Sequence, residues 1–227
     1  MKKSGKLNYI YLVILNVLFV LKIKFQELFQ FGHRLWWWKY HIYGGMLYCL
    51  DSCYRVARRD SQLIKEYTFE NFGYGETPPS TLKAMFDPIR PEDYGLFIDI
   101  GSGRGLAVFS MYFLYDIRCI GIEILPTHCS RSRKLKRFLR VDKIEIQQKD
   151  AVDFDYSRPA IYYSATTSFE DNLLEELERK LKETPPGSII VMVHWKLEGL
   201  EFELFHQGVY GFTWGYDNVY FYRRTPY

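Results

Sequence analysis

The sequence predicts an α/β protein built on a mostly parallel, seven-stranded sheet, and three features carry that prediction. Short β runs alternate with helical stretches from Leu96 onward, a glycine-rich turn follows the first of those strands, and two aromatic runs close the chain. Alternation of this kind places helices on both faces of a parallel sheet. The apolar and charged fractions, 48% and 25%, belong to a chain with a real core and exclude disordered or fibrous classes. A length of 227 residues accommodates one good-sized domain and an appendage.

The elements follow in order. Met1–Lys6 is basic, and Leu7–Leu21 is apolar apart from Asn8 and Asn16. Extended through Ile23 the run spans 17 residues, about 25 Å as a helix, at the short limit for a membrane crossing. No small-x-small site follows, so it does not read as a cleaved leader. Residues 1–25 are therefore expected to form a hydrophobic helix, either a membrane anchor or a helix buried against the rest of the chain. The Leu35–Tyr40 cluster, with three consecutive tryptophans, suits a membrane–water interface. Lysines flank the helix on both sides and give no orientation. An anchored chain is expected to hold its main domain on the cytosolic side, and a chain without an anchor to be cytoplasmic. Residues 26–70 form a helical linker region, with Met46–Tyr67 reading as a helix. Gly73–Pro79 is a loop, and residues 71–227 make up the main domain.

Within it, Leu96–Ile100, Cys119–Ile124, Lys143–Gln148, Ile161–Ala165 and Ser188–Trp195 are expected strands. Leu106–Tyr115, Pro126–Leu139 and Glu170–Glu183 are expected helices, the second opening on a proline as helix starts allow. Glu201–Val209 and Val219–Arg223 read as an antiparallel hairpin joined across Gly211–Asn218. A parallel set closed by such a hairpin is the Rossmann-like arrangement of class I methyltransferases rather than a plain dinucleotide fold.

The segment Phe97-Ile98-Asp99-Ile100-Gly101-Ser102-Gly103-Arg104-Gly105-Leu106 runs a strand into glycines at alternate positions. These permit a sharp turn and close approach of backbone to ligand, and the following helix start offers free N–H groups. Asp99 at the strand end suits an ammonium, which S-adenosylmethionine (SAM) has and NAD lacks. Glu123, 22 residues after Gly101 at the end of the second strand, suits ribose hydroxyls. Asp150, beside Ala151 after the third strand, suits the adenine amino group; a surface role for Glu123 and a helix N-cap for Asp150 are the bland alternatives. Together these residues point to SAM as cofactor, with a SAM-binding module without catalysis, a small-molecule methyltransferase and an NAD-dependent oxidoreductase as the alternatives.

Tyr74-Gly75-Glu76-Thr77, upstream of the Asp-x-Gly-Ser-Gly-x-Gly turn, resembles the non-SET histone lysine methyltransferases of the disruptor-of-telomeric-silencing (DOT) type and their small bacterial relatives. The resemblance covers roughly Phe72 to Trp195. It implies that Tyr74, Glu76 and Thr77 fold over the methionine end of SAM, that Phe97 through Leu106 form the glycine loop, that Glu123 holds the ribose and that Asp150 and Ala151 hold the adenine. It also implies a protein substrate with a lysine-type amine. The chain departs from that pattern after the fourth strand. Histone-modifying members carry Asn-Asn-Phe there, whereas this chain has Ser164-Ala165-Thr166-Thr167-Ser168-Phe169, hydroxyls in place of amides with Phe169 keeping the aromatic wall. In order of parts alone the chain also resembles small membrane-anchored lysine methyltransferases.

Methyl transfer from a sulfonium is an in-line displacement that asks chiefly for alignment. Thr166, Thr167 and Phe169 are the expected acceptor-side residues, with a polar helix cap as the alternative for the hydroxyls. His194 is a candidate base or a structural histidine. The run Arg131–Arg137 suits lipid headgroups, nucleic acid or a solvated helix face. A net charge of +3 gives no argument for nucleic acid. Cys49, Cys53, Cys119 and Cys129 lack metal-site spacing, so structural thiols and no metal are expected.

Overall fold

The computed structural model describes residues 2–64, 67, 69–73 and 75–226, and for residues 2–13, 69 and 70 the backbone alone. Three helices come first: α1 (Lys2–Phe31), α2 (Leu35–Tyr48) and α3 (Cys53–Asp60). Then follow α4 (Pro79–Phe86), β1 (Leu96–Ile100), α5 (Leu106–Tyr115), β2 (Arg118–Glu123), α6 (Pro126–Leu139), β3 (Ile144–Gln148), β4 (Ile161–Ala165), α7 (Asp171–Leu181), β5 (Ile189–Val193), β6 (Phe202–Phe212) and β7 (Gly215–Arg224).

The strands lie in the order β3-β2-β1-β4-β5-β7-β6. The first five are mutually parallel, β7 runs antiparallel to β5, and β6 runs antiparallel to β7. This is the expected Rossmann-like sheet with its terminal hairpin. The parallel strands are buried on both faces, which is why β5 reads Ile-Ile-Val-Met-Val without a polar residue. One face packs Phe97, Cys119, Ile144, Tyr163 and Val191 against α2, α4, α5 and α6. The other packs Ile98, Ile100, Ile120, Ile122 and Met192 against Leu177 and Leu181 of α7. Pro126 occupies the first turn of α6, and Asp116 and Arg140 take left-handed caps at the ends of α5 and α6.

The N-terminal third departs most from the expected elements. The apolar run does not stop at Lys22 and Lys24; the helix continues to Phe31, with Ile23, Glu27 and Phe31 buried. Its second half docks beside α4, and Phe19 packs on Tyr216 of β7 with ring centroids 5.1 Å apart. Among the described residues no helix is long and apolar enough to cross a membrane, so the expected transmembrane helix finds no support. The tryptophan cluster, expected at a membrane–water interface, opens α2 and in part packs inward: Trp36 stacks on Phe113 of α5 at 4.9 Å, and Trp37 and Tyr40 are buried. The single helix expected over Met46–Tyr67 is broken, because Ser52 accepts the Arg55 N–H and caps a separate α3. The loop expected through Pro79 gives way to α4, with Pro79 at its N-terminus and Leu82, Met85 and Phe86 in the core.

Candidate active site

Strands β1, β2 and β3 end side by side, and their C-terminal ends open into one cleft. Ligands of open α/β sheets bind outside such carboxyl ends. Asp99, Gly101, Ser102, Gly103, Leu106, Glu123, Asp150 and Ala151 all line it. Gly101, Gly103 and Gly105 adopt φ of +78°, +53° and +84°, a region that side-chain-bearing residues rarely enter. A Cβ at Gly101 would stand 3.3 Å from the ring tip of Phe169, so the turn also brings the post-β4 segment close.

The carboxylates differ in their environments. Glu123 accepts the Gly103 N–H through Oε2 at 2.7 Å and the Leu125 N–H through Oε1 at 2.8 Å, so this strand-end acid fixes the glycine loop. Asp150 accepts the Val152 N–H at 3.1 Å in a turn rather than capping a helix, while still lining the cleft. Asp99 is buried, and desolvation together with the Glu123 charge pushes its pKa up to about 8.

The near wall is tied together across long sequence distances. Glu76 and Arg104 form a bidentate ion pair through Nε–Oε1 and Nη2–Oε2, the latter 2.7 Å. Thr213 in the β6–β7 turn accepts the Glu76 N–H through its hydroxyl at 2.8 Å, and its own N–H meets the Glu76 carbonyl at 3.1 Å. Thr77 and Tyr163 of β4 share a 2.5 Å hydroxyl–hydroxyl hydrogen bond. Tyr74 lies outside the described residues. Gly75 lies beneath Trp214, whose ring would be 2.2 Å from a Cβ at that position.

Of the other expected residues, Thr167 and Phe169 line the cleft and Thr166 does not. Thr166 is buried and donates to the Val193 carbonyl at 2.6 Å, which makes it a clamp between β4 and β5. Phe97 packs in the core against Tyr163 and Phe86, behind the glycine loop rather than in the cleft. Gly105 stands at the start of α5 against Phe109 and Ser132. His194 is exposed at φ +76° with Nδ1 3.1 Å from Asp217, away from the cleft.

Four cleft residues carry no sequence motif that would have singled them out. Trp214 lies in a turn whose partner loop is distant in sequence. Tyr163 and His128 sit on elements whose apolar periodicity hides them; His128 bonds the Tyr48 hydroxyl at 2.8 Å, and burial lowers its pKa to about 4. Asn71, which lines the cleft, accepts the Glu170 N–H through Oδ1 at 2.7 Å, and its Nδ2 is buried without a protein partner. Among the described residues no acid, histidine and thiol cluster could hold a metal, and no disulfide links the four cysteines to one another.

The sheet order and the glycine turn flanked by strand-end carboxylates define a class I methyltransferase domain with SAM as its cofactor. Within that class the chain resembles the DOT type: residues 54–162 match the family model "Histone methylation protein DOT1". It is 27% identical over 155 residues to a Dictyostelium discoideum histone-lysine N-methyltransferase described as H3 lysine-79 specific, with 60% of this chain and 8% of that protein covered. A Kluyveromyces lactis protein of the same description is 25% identical over 154 residues, covering 65% of this chain and 24% of the relative. The chain thus spans only a small part of the length of these relatives. Among solved structures, an RNA methyltransferase from Salinibacter ruber in complex with S-adenosyl-L-homocysteine superposes with a TM-score of 0.55 at 21% identity, covering 67% of this chain and 95% of that one. TrmN from Thermus thermophilus superposes at 0.56 and 13% identity over 74% of this chain and 53% of its own.

Proposed function

We propose that the protein transfers a methyl group from SAM to a lysine-type amine of a protein substrate. One observation carries the reading: Asp99, Glu123 and Asp150 close three adjacent strands around a single cleft with the glycine turn. The residues present fit the cofactor. The buried Ser102 hydroxyl lacks a protein partner, the glycines leave room for close backbone approach, and the acids are graded from buried Asp99 to turn-bound Asp150. Asp99 would face the ammonium, Glu123 the ribose and Asp150 with Ala151 the adenine, while Glu76 and Thr77 close the methionine end.

SAM supplies an electrophilic methyl group on a sulfonium. The chain itself supplies alignment and exclusion of water. Phe169 and Trp214 give the cleft apolar walls, and Thr167 and Ser168 offer hydroxyls at the end of β4. An amine reaching this cleft loses hydration, which favours its neutral, nucleophilic form. The lysine assignment is supported by the match to the family model over residues 54–162 and by Phe169 on the cleft wall.

Calorimetric titration with SAM tests the first half. The second is tested by labelled-methyl transfer to histone H3 and to total protein extract, before and after chemical acetylation of lysines. Label that disappears when lysines are blocked supports the amine reading. Label that persists overturns it, and absence of SAM binding overturns the whole proposal.

A further inference from the structure

We propose that α1 and α2 form an in-plane docking face for an anionic lipid bilayer, seated at the headgroup–acyl boundary without crossing it. This goes beyond the catalytic reading and does not depend on it.

Helix α2 is apolar on both sides. One side buries Trp37, Tyr40, Gly44 and Tyr48 against the domain. The opposite side leaves Leu35, Trp38, Ile42 and Met46 exposed at 67%, 42%, 60% and 64%, spaced three or four residues apart along one stripe. Helix α1 repeats the pattern. It buries Ile23, Glu27 and Phe31 and exposes Leu18, Leu21, Phe25 and Phe29. A helix apolar all round is stable only with cover on both sides, and exposed patches of this extent mark interaction surfaces.

Charge selects the occupant. Every formal charge in the first fifty residues is positive except Glu27, and Glu27 is buried and paired with Lys24 at 2.9 Å. Lys22, Arg34 and Lys39 are exposed beside the apolar stripes. Tyr43 of α2 stacks on Phe138 of α6 at 4.0 Å, which brings the exposed Lys134 and Arg137 of the basic run alongside. A second copy meeting this face would set like charges together. Anionic headgroups complement it, as they do other basic segments flanking apolar helices. Trp38, tethered by its Nε1–H to the Gly32 carbonyl at 2.8 Å, sits where interfacial tryptophans are favoured.

The test uses the full-length protein with preformed vesicles of phosphatidylcholine, with and without phosphatidylserine. The expected result is sedimentation with the anionic vesicles only, weakened by high salt, and quenching of tryptophan emission by brominated acyl chains. Ile42→Ser with Met46→Ser removes binding while leaving the melting temperature unchanged, since both side chains are exposed. Lys39→Glu with Arg137→Glu keeps the apolar face and weakens anionic-vesicle binding at least about tenfold. Equal binding to neutral vesicles overturns the proposal. So does an N-terminal fragment protected from external protease, which would mean a crossing helix. Dimers in sedimentation velocity without vesicle binding also overturn it and assign the face to a second copy.

Discussion

At the scale of single residues, the cleft depends on where protons sit and on how closely side chains approach backbone. Asp99 retains its proton to about pH 8 because burial and the neighbouring Glu123 charge disfavour the anion. The folded state therefore binds more protons than the unfolded chain, and this group's contribution to stability falls as pH rises from about 4 to about 8. A bound ammonium reverses the preference. SAM affinity should accordingly tighten between about pH 6 and 7.5, with proton uptake by the buffer visible when calorimetry is repeated in buffers of different ionisation enthalpy. Asp99→Asn should bind SAM weakly and without that pH dependence; an unchanged profile would remove Asp99 from the cofactor site. Gly75 presents a steric counterpart. Gly75→Ala sets a methyl against the Trp214 ring, which should cost about 1–3 kcal/mol. The added change Trp214→Ala should recover part of that loss, and a double-mutant cycle in urea denaturation measures the coupling.

At the scale of elements, α2 is the keystone of the N-terminal third. Tyr40 is fully buried, and its ring lies 5.6 Å from that of Phe109 on α5. Tyr40→Ala should cost about 3–5 kcal/mol of unfolding free energy, in the range of large core truncations. Ile42→Ser, two residues away on the exposed side, should move stability by less than about 0.5 kcal/mol. Equal losses at both positions would mean that the two faces of α2 are misassigned. The difference between these neighbours also explains what the sequence could and could not disclose. Strands β1 and β4 and helices α5 and α6 were legible to the residue, because buried β runs, a glycine turn and an N-terminal proline are local signals. The break before α3 depends on one serine cap within a continuous apolar pattern. Helix α4 begins in a segment whose glycines and prolines read as loop. For α1, hydropathy registered an apolar run but not which half of it meets the domain. At the site, the strand-end acids were legible from spacing alone. Asn71, His128 and Trp214 were not, since their place in the cleft comes from packing between segments far apart in sequence.

At the scale of the whole molecule, the cofactor should act as a stabiliser of the sheet as well as a reactant. The cleft draws on β1, β2 and β3, on the loop before α4 and on the β6–β7 turn. A ligand held by all of these at about 100 times its dissociation constant adds about 2.7 kcal/mol, equivalent to a rise in melting temperature of about 5–10 °C for a chain of this size. NAD at the same concentration should leave the melt unchanged, and a comparable shift with NAD would reopen the oxidoreductase class. The reciprocal pair between Glu76 and Thr213 has a further consequence, for the order of events during synthesis. A growing polypeptide whose residue 213 has not yet left the ribosome lacks the two bonds that tie Glu76 to the β6–β7 turn, so the loop gains that anchor only when the terminal hairpin has been made. Termination between β5 and that turn would leave the loop joined to Arg104 and Tyr163 but cut off from the far edge of the sheet.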